Sequence, residues 1–129
     1  MARILALNPP YNGMSTIVNV LGRVGPGEAN NPDDVRVVQR LMQMGARGKA
    51  AATSFGTPQV TGHFDAVTGF WIYRIQHLLK NRTVDGVVSP AHGSQYAAGG
   101  SIWTIVVLND LAKGDSPQDY ASFLAQSTT

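Results

Sequence analysis

The stretch GHFDAVTGFWIYRIQHLLKNRTVDGVVSP, residues 62–90, decides how this chain is read. Asp65 stands where a helix N-cap is wanted. Phe64, Val67 or Thr68, Trp71, Ile72, Ile75, Leu78 and Leu79 follow at intervals of three and four, which places them on one face of a helix ending near Asn81 and Arg82. Val84-Asp85-Gly86-Val87-Val88 then predicts a tight turn running into a short strand, with Gly86 in the left-handed conformation that glycine adopts without steric cost. Trp71 belongs to the apolar stripe, whereas Tyr73, Arg74 and His77 fall on the polar side.

Upstream, Asp33 or Asp34 is placed to cap an earlier helix whose stripe is Val35, Val38, Leu41 and Met42 and which stops at Gly45. Before it, the runs Arg3–Leu7 and Thr16–Leu21 flank NPPYNGMS, whose turn-forming residues predict a β-hairpin or an extended arm. Residues 46–61 read as an exposed loop, and 89–100 as a second loop rich in Gly, Ala and Ser. Ile102–Leu111 is an apolar third helix ending near Lys113-Gly114. Ser116-Pro117 opens a last short helix through Leu124, with serine at the N-cap and proline in the first turn. An internal echo links the first two helices: Val38-Gln39-Arg40-Leu41-Met42 and Ile75-Gln76-His77-Leu78-Leu79 share one order of residue types, and each precedes a turn.

At 129 residues the chain has room for one domain, and with 43% hydrophobic against 14% charged residues it is apolar enough to fold. The absence of cysteine removes disulfides, thiolate nucleophiles and cysteine-based zinc sites. The N-terminal apolar run Ile4–Leu7 is too short for a signal peptide, and no other run approaches a membrane span. Cytoplasmic synthesis is expected, with a destination in the cell envelope or a virus particle left open. The net charge of +2 comes from basic residues spread without a run and without interleaved aromatics, so no specific nucleic-acid partner is expected.

The chemical groups point away from catalysis and cofactors. His63 and His77 are separated by about three helical turns, beyond the reach of one metal ion, and no paired H-x-x-x-H occurs. Asp65 and Asp85 occupy cap and turn positions that aspartate fills for backbone reasons. Ser101, His92 and Asp85 can be drawn as a nucleophilic set, but no Gly-x-Ser-x-Gly elbow accompanies them. No catalytic residue, metal or cofactor is therefore expected.

The segment Gly62-x-Phe64-Asp65-x-x-Thr68-x-x-Trp71-Ile72-x-x-Ile75-Gln76, with Val84-Asp85-Gly86-Val87-Val88-Ser89-Pro90, resembles the peptidoglycan-binding-domain-like family of small three-helix modules. Val24-Gly25 through Leu41-Met42 is similar to the first helix and lead-in of one branch, so the likeness covers roughly residues 22–112. It departs at Asp65, Trp71 and Ser89, which stand where the family has Gly, a small residue and Gly, and at an insertion from His92 to Gly100.

The resemblance implies a mainly α fold, with a three-helix core over 32–114, an N-terminal hairpin or arm over 1–31, and a short C-terminal helix and tail over 115–129. It implies a non-catalytic module that recognises the polysaccharide-peptide of the bacterial cell wall. The groove between the second helix and the Asp85-Gly86 turn is the expected contact region. Tyr73, Arg74, His77, Asp85 and Gly86 are its candidate ligand-binding residues, because an aromatic face suits a sugar ring and a guanidinium suits carboxylates. Residues 1–129 leave no room for a catalytic domain that such a module would be expected to tether. A second expectation is therefore a structural or assembly subunit of a phage virion or contractile injection apparatus, docking on neighbouring subunits or on copies of itself, with residues 1–30 adding strands to a neighbour's sheet edge.

Overall fold

The computed structural model describes residues 3–45, 58–78 and 84–127. Its elements run β1 (Ile4–Tyr11), β2 (Met14–Val18), α1 (Pro32–Gly45), α2 (Ala66–Leu78), β3 (Ala97–Ala98), β4 (Ser101–Ile102), α3 (Thr104–Asp115) and α4 (Pro117–Gln126). The architecture is mixed α/β, with four helices and two antiparallel two-stranded sheets among the described residues. This corrects the expectation of a mainly α three-helix bundle carrying an arm.

The physical reason lies first in the N-terminal hairpin. Asn12 and Gly13 both have positive φ (47° and 79°), as a two-residue turn matching the twist of paired strands requires. Ile4 pairs with Val18, Leu5 with Ile17 and Ala6 with Thr16. The register then shifts before Tyr11 meets Met14, because residues 7–10, with both prolines, face Ser15 alone. Leu7, Met14, Ile17 and Val18 are buried in the common core, so the hairpin is a wall of the domain.

Polar side chains tie that wall down. Asn109 on α3 accepts from Val18 N at 2.9 Å and donates to Val18 O at 2.9 Å, completing the outer edge of β2 as a neighbouring strand would. Asn19 does the same for Ala91, donating to its carbonyl at 2.9 Å and accepting from its N–H at 3.1 Å. Asp34, expected as a helix cap, is buried and turns backward. It accepts from Leu21 N, from Gly22 N and from Arg3 Nη1, the last at 2.7 Å. Pro32 opens α1, where the missing N–H costs nothing.

The helices assemble around α1 and α3, which form the main helix-helix contact, with α4 packed on α3. Gly45 permits the close approach at the end of α1, since a Cβ there would lie 3.0 Å from Leu111 Cβ. Asp65 caps α2 as expected, accepting from Thr68 N at 2.8 Å and from Thr68 Oγ1 at 2.6 Å. Ser116 holds the predicted N-cap position of α4, but its hydroxyl donates to Met44 O and so serves the C-terminal end of α1. On α2, Trp71 and Ile72 are buried, whereas Ile75 is only partly so. The side chain of Leu78, residues 79–83 and most of the 46–61 loop lie outside the described residues.

The sequence echo has a structural counterpart. Gln39, fully buried in α1, accepts from Thr61 N and Gly62 N at 2.8 and 3.0 Å, and its Nε2 reaches His63 O and the hydroxyl of Thr68 on α2. Gln76 in α2 accepts from Gly86 N at 2.9 Å, and its Nε2 reaches Val87 O and the hydroxyl of Thr104 on α3. Gly62 and Gly86 have matching φ of 81° and 73°. A buried glutamine thus binds a left-handed glycine turn and the first turn of the next helix, twice along the chain.

Candidate functional site

The second of these turns builds one wall of a partly polar recess. Val88 pairs with Val24 through N–H to carbonyl bonds of 3.0 and 2.8 Å, which fixes residues 85–89 against the glycine-rich lead-in. Gly25 is needed there, because a Cβ would lie 2.8 Å from Val87 Cγ2 and 2.9 Å from Gly86 O. The lead-in is clipped by Asn30, which accepts from Gly25 N and donates to Gly25 O, each at 2.9 Å. Opposite, the loop expected over 89–100 folds at Gly99-Gly100 into the β3-β4 hairpin, where Ala97 pairs with Ile102 and Ala98 with Ser101.

Between these segments and the start of α3 lies a cavity of about 90 Å³, whose lining includes Gln76, Asp85, Ser89, Ser101, Trp103 and Thr104. Most of its polar groups are committed. Asp85 Oδ1 accepts from Val87 N at 3.0 Å and from Gln76 Nε2 at 3.1 Å, and the Thr104 hydroxyl accepts from Gln76. Ser101 Oγ and Trp103 Nε1, of two lining residues, are buried and bond to no group among the described residues. A buried hydroxyl and indole N–H ordinarily find partners, and these two are closed off from the open space of the recess as well. The Trp103 ring is held by His92, with ring centroids 4.9 Å apart and planes at 58°.

The residues proposed from sequence fall into two groups. Asp85 lines the recess and is exposed, and Gly86 beside it is buried with the expected left-handed backbone. Tyr73 and His77 are exposed on α2, where their rings stack with planes 4° apart and centroids at 6.2 Å. Arg74 is half-buried next to them. Among the described residues no hydrogen bond, ion pair or ring contact joins Tyr73, Arg74 or His77 to Asp85 or Gly86. Ser101 and Asp85 do share one cavity, but His92 packs its ring at a tilt against Trp103 and among the described residues bonds to neither, so no proton relay is assembled.

Trp103 was not legible as a residue of the recess, and Ser101 was weighed only as a nucleophile and set aside. Trp103 sits in an apolar run that reads as helix, and Ser101 just after a loop whose closure depends on pairing four residues around two glycines. The usable signal was the Gly99-Gly100 pair between short runs, a hairpin pattern. Among the described residues no group of three or more His, Cys, Asp or Glu side chains could hold a metal ion, and no helix is long and apolar enough to cross a membrane. Comparison with family models, curated proteins and solved structures returns no match for this chain.

Proposed function

We propose that this chain is a non-catalytic binding module for bacterial cell-wall peptidoglycan, and that it engages its ligand at the recess between Asp85, Ser101 and Trp103. The observation that carries this reading is the Asp85 carboxylate, exposed at the recess with its Oδ1 held by Val87 N and Gln76 Nε2. An accessible carboxylate fixed in this way is placed to receive a donor or a cation from a ligand. The resemblance of residues 62–90 to peptidoglycan-binding modules names the ligand class, and the recess lies beside the turn that carries this likeness.

The assembly reading draws less support from the hairpin than its sequence suggested. The outer edge of β2 is closed by Asn109, while β1 spends one outer N–H on Ser94 O and carries Pro9 and Pro10, which have no N–H to offer a neighbour.

Co-sedimentation with purified sacculi tests the proposal. The wild-type protein is expected in the pellet, and Asp85→Asn is expected to shift to the supernatant while melting at an unchanged temperature. A wild-type protein that stays in the supernatant, and that light scattering finds as a defined oligomer, would overturn wall binding in favour of assembly.

A further inference from the structure

Resting on that reading, we infer that the protein holds the neutral N-acetylated sugar of the wall's glycan at a second place, a cleft between Pro9 of β1 and Tyr96 in the loop before β3. The cleft has a volume of about 230 Å³ and is lined by Pro9, Gln95, Tyr96 and Ala97. Three of these four residues belong to the stretch from His92 to Gly100, which departs as an insertion from the modules that residues 62–90 resemble.

The insertion is fastened to the hairpin wall without a ligand. Asn8 N donates to Ser94 O at 2.8 Å, and Trp103 N donates to Tyr96 O at 3.0 Å. The Tyr96 ring packs on Tyr11, with centroids 5.1 Å apart and planes at 50°, and Ala97 pairs with Ile102 across the β3-β4 hairpin. Held in this way, Tyr96 is still half-exposed, and Pro9 and Gln95 beside it are exposed. A ligand therefore meets a ring and a proline whose positions are already set, and little of their freedom is lost on binding.

The lining selects the ligand by its chemistry. Tyr96 and Pro9 supply apolar surface, and the Tyr96 hydroxyl and the Gln95 amide can each donate and accept hydrogen bonds. None of the described lining residues carries a charge. An N-acetylated pyranose has the matching features: an apolar carbon–hydrogen face, a rim of hydroxyl and acetamido groups that donate and accept, and no charge. The wall's peptides bring ammonium and carboxylate groups, which are costly to desolvate against a neutral lining. Ala98, next to Ala97 in β3, lines the recess that holds Asp85, so a neutral cleft and an acidic recess adjoin the same short strand.

The test follows the backbone amide resonances of Gln95, Tyr96 and Ala97 by NMR during titration with two soluble probes, a tetramer of N-acetylglucosamine and the peptide released from purified wall. The sugar tetramer is expected to shift these resonances and the peptide to leave them unmoved. Tyr96→Ala and Gln95→Ala are each expected to weaken tetramer affinity roughly tenfold, whereas Tyr96→Phe, which keeps the ring, is expected to stay within about threefold of wild type. Gln95→Ala alters an exposed side chain, so its result stands even where Tyr96→Ala disturbs the contact with Tyr11.

Retention on sacculi together with unmoved resonances in the tetramer titration, or with tetramer affinity unchanged in both alanine variants, would overturn this inference and leave wall binding standing. Absence of both retention and any shift would overturn the two together. A tetramer-induced shift without retention on sacculi would overturn the wall as the source of the sugar.

Discussion

Gln76 donates from Nε2 to the Thr104 hydroxyl at 3.0 Å, so a buried amide of α2 holds the first residue of α3. The same side chain accepts from Gly86 N and reaches Val87 O, which makes it the floor on which the recess stands. Gln76→Leu removes all of these bonds at nearly constant volume and strands a buried N–H and a carbonyl. The expected cost is about 2–5 kcal/mol by urea denaturation. Gln39→Leu, which strands Thr61 N and Gly62 N, is expected to cost a similar amount. Unequal losses, with one variant near wild type, would deny the two turns a shared design.

The turn itself makes a second prediction. Gly86 has φ 73°, so Gly86→Ala is expected to cost about 1–2 kcal/mol from backbone strain alone, since a Cβ there has no neighbour closer than Pro26 Cδ at 3.9 Å. At Gly25 the reason differs: the added Cβ collides with Val87 and with the Gly86 carbonyl, so Gly25→Ala is expected to cost about 1–3 kcal/mol and to move the Val87 and Val88 amide resonances. Unmoved amides in a stable Gly25→Ala protein would show that the lead-in does not press on the turn.

Tyr120 supplies a pH dependence. Its phenol is pushed up to about 12 from an ordinary 10.0, by burial first and then by the Asp110 carboxylate, and it donates to Asn109 Oδ1 at 2.6 Å. In the unfolded chain the phenol loses its proton near its ordinary value, while the folded chain keeps it. The unfolded state therefore binds fewer protons over this interval, and stability is full below pH 10 and falls as pH rises toward 12. The loss is on the order of 2 kcal/mol at most. Tyr11 is raised in the same direction by burial, Asp110 and Tyr96, so Tyr120→Phe is expected to flatten the alkaline fall only in part. An unchanged alkaline slope in Tyr120→Phe would remove Tyr120 as its source.

What could be read ahead of the structure was local. Asp65 as a cap and Gly86 as a left-handed residue depend on a few neighbouring backbone groups, and both stand as expected. Asp34, one of the two residues expected to cap α1, shows the limit of the same logic: three donors, from Arg3 and from Leu21 and Gly22 in the loop after β2, outcompeted a cap. The place of the hairpin was not legible, because the Asn109–Val18 pair that seats it spans 91 residues and asparagine in an apolar helix gives no hint of its partner. The recess was hidden for the same reason. It joins a turn, a four-residue hairpin and a helix start, each unremarkable alone. The period of α2 was right in kind and slightly wrong in phase, since Ile72 is fully buried and Ile75 only partly. Ile72→Ala is accordingly expected to cost about 2–5 kcal/mol and Ile75→Ala about half of that or less.

The two surfaces proposed for the ligand are separable by one comparison. Tyr73 is 54% exposed and stacks on His77, itself exposed, so Tyr73→Ala with Arg74→Ala removes an aromatic ring and a cation while leaving the core untouched. The double variant is expected to remain within about 0.5–1 kcal/mol of wild type in stability. If the ligand sits in the recess, this variant is also expected to be retained on sacculi as wild type is, whereas Asp85→Asn is expected to lose retention with its fold intact. The two substitutions act on different physics: the first deletes an exposed stacking face and a cation on α2, the second deletes the carboxylate charge at the recess. The opposite pattern, with retention lost in the α2 double variant and kept in Asp85→Asn, would move the binding surface to the polar face of α2 and leave the Asp85 recess as a feature of the fold alone.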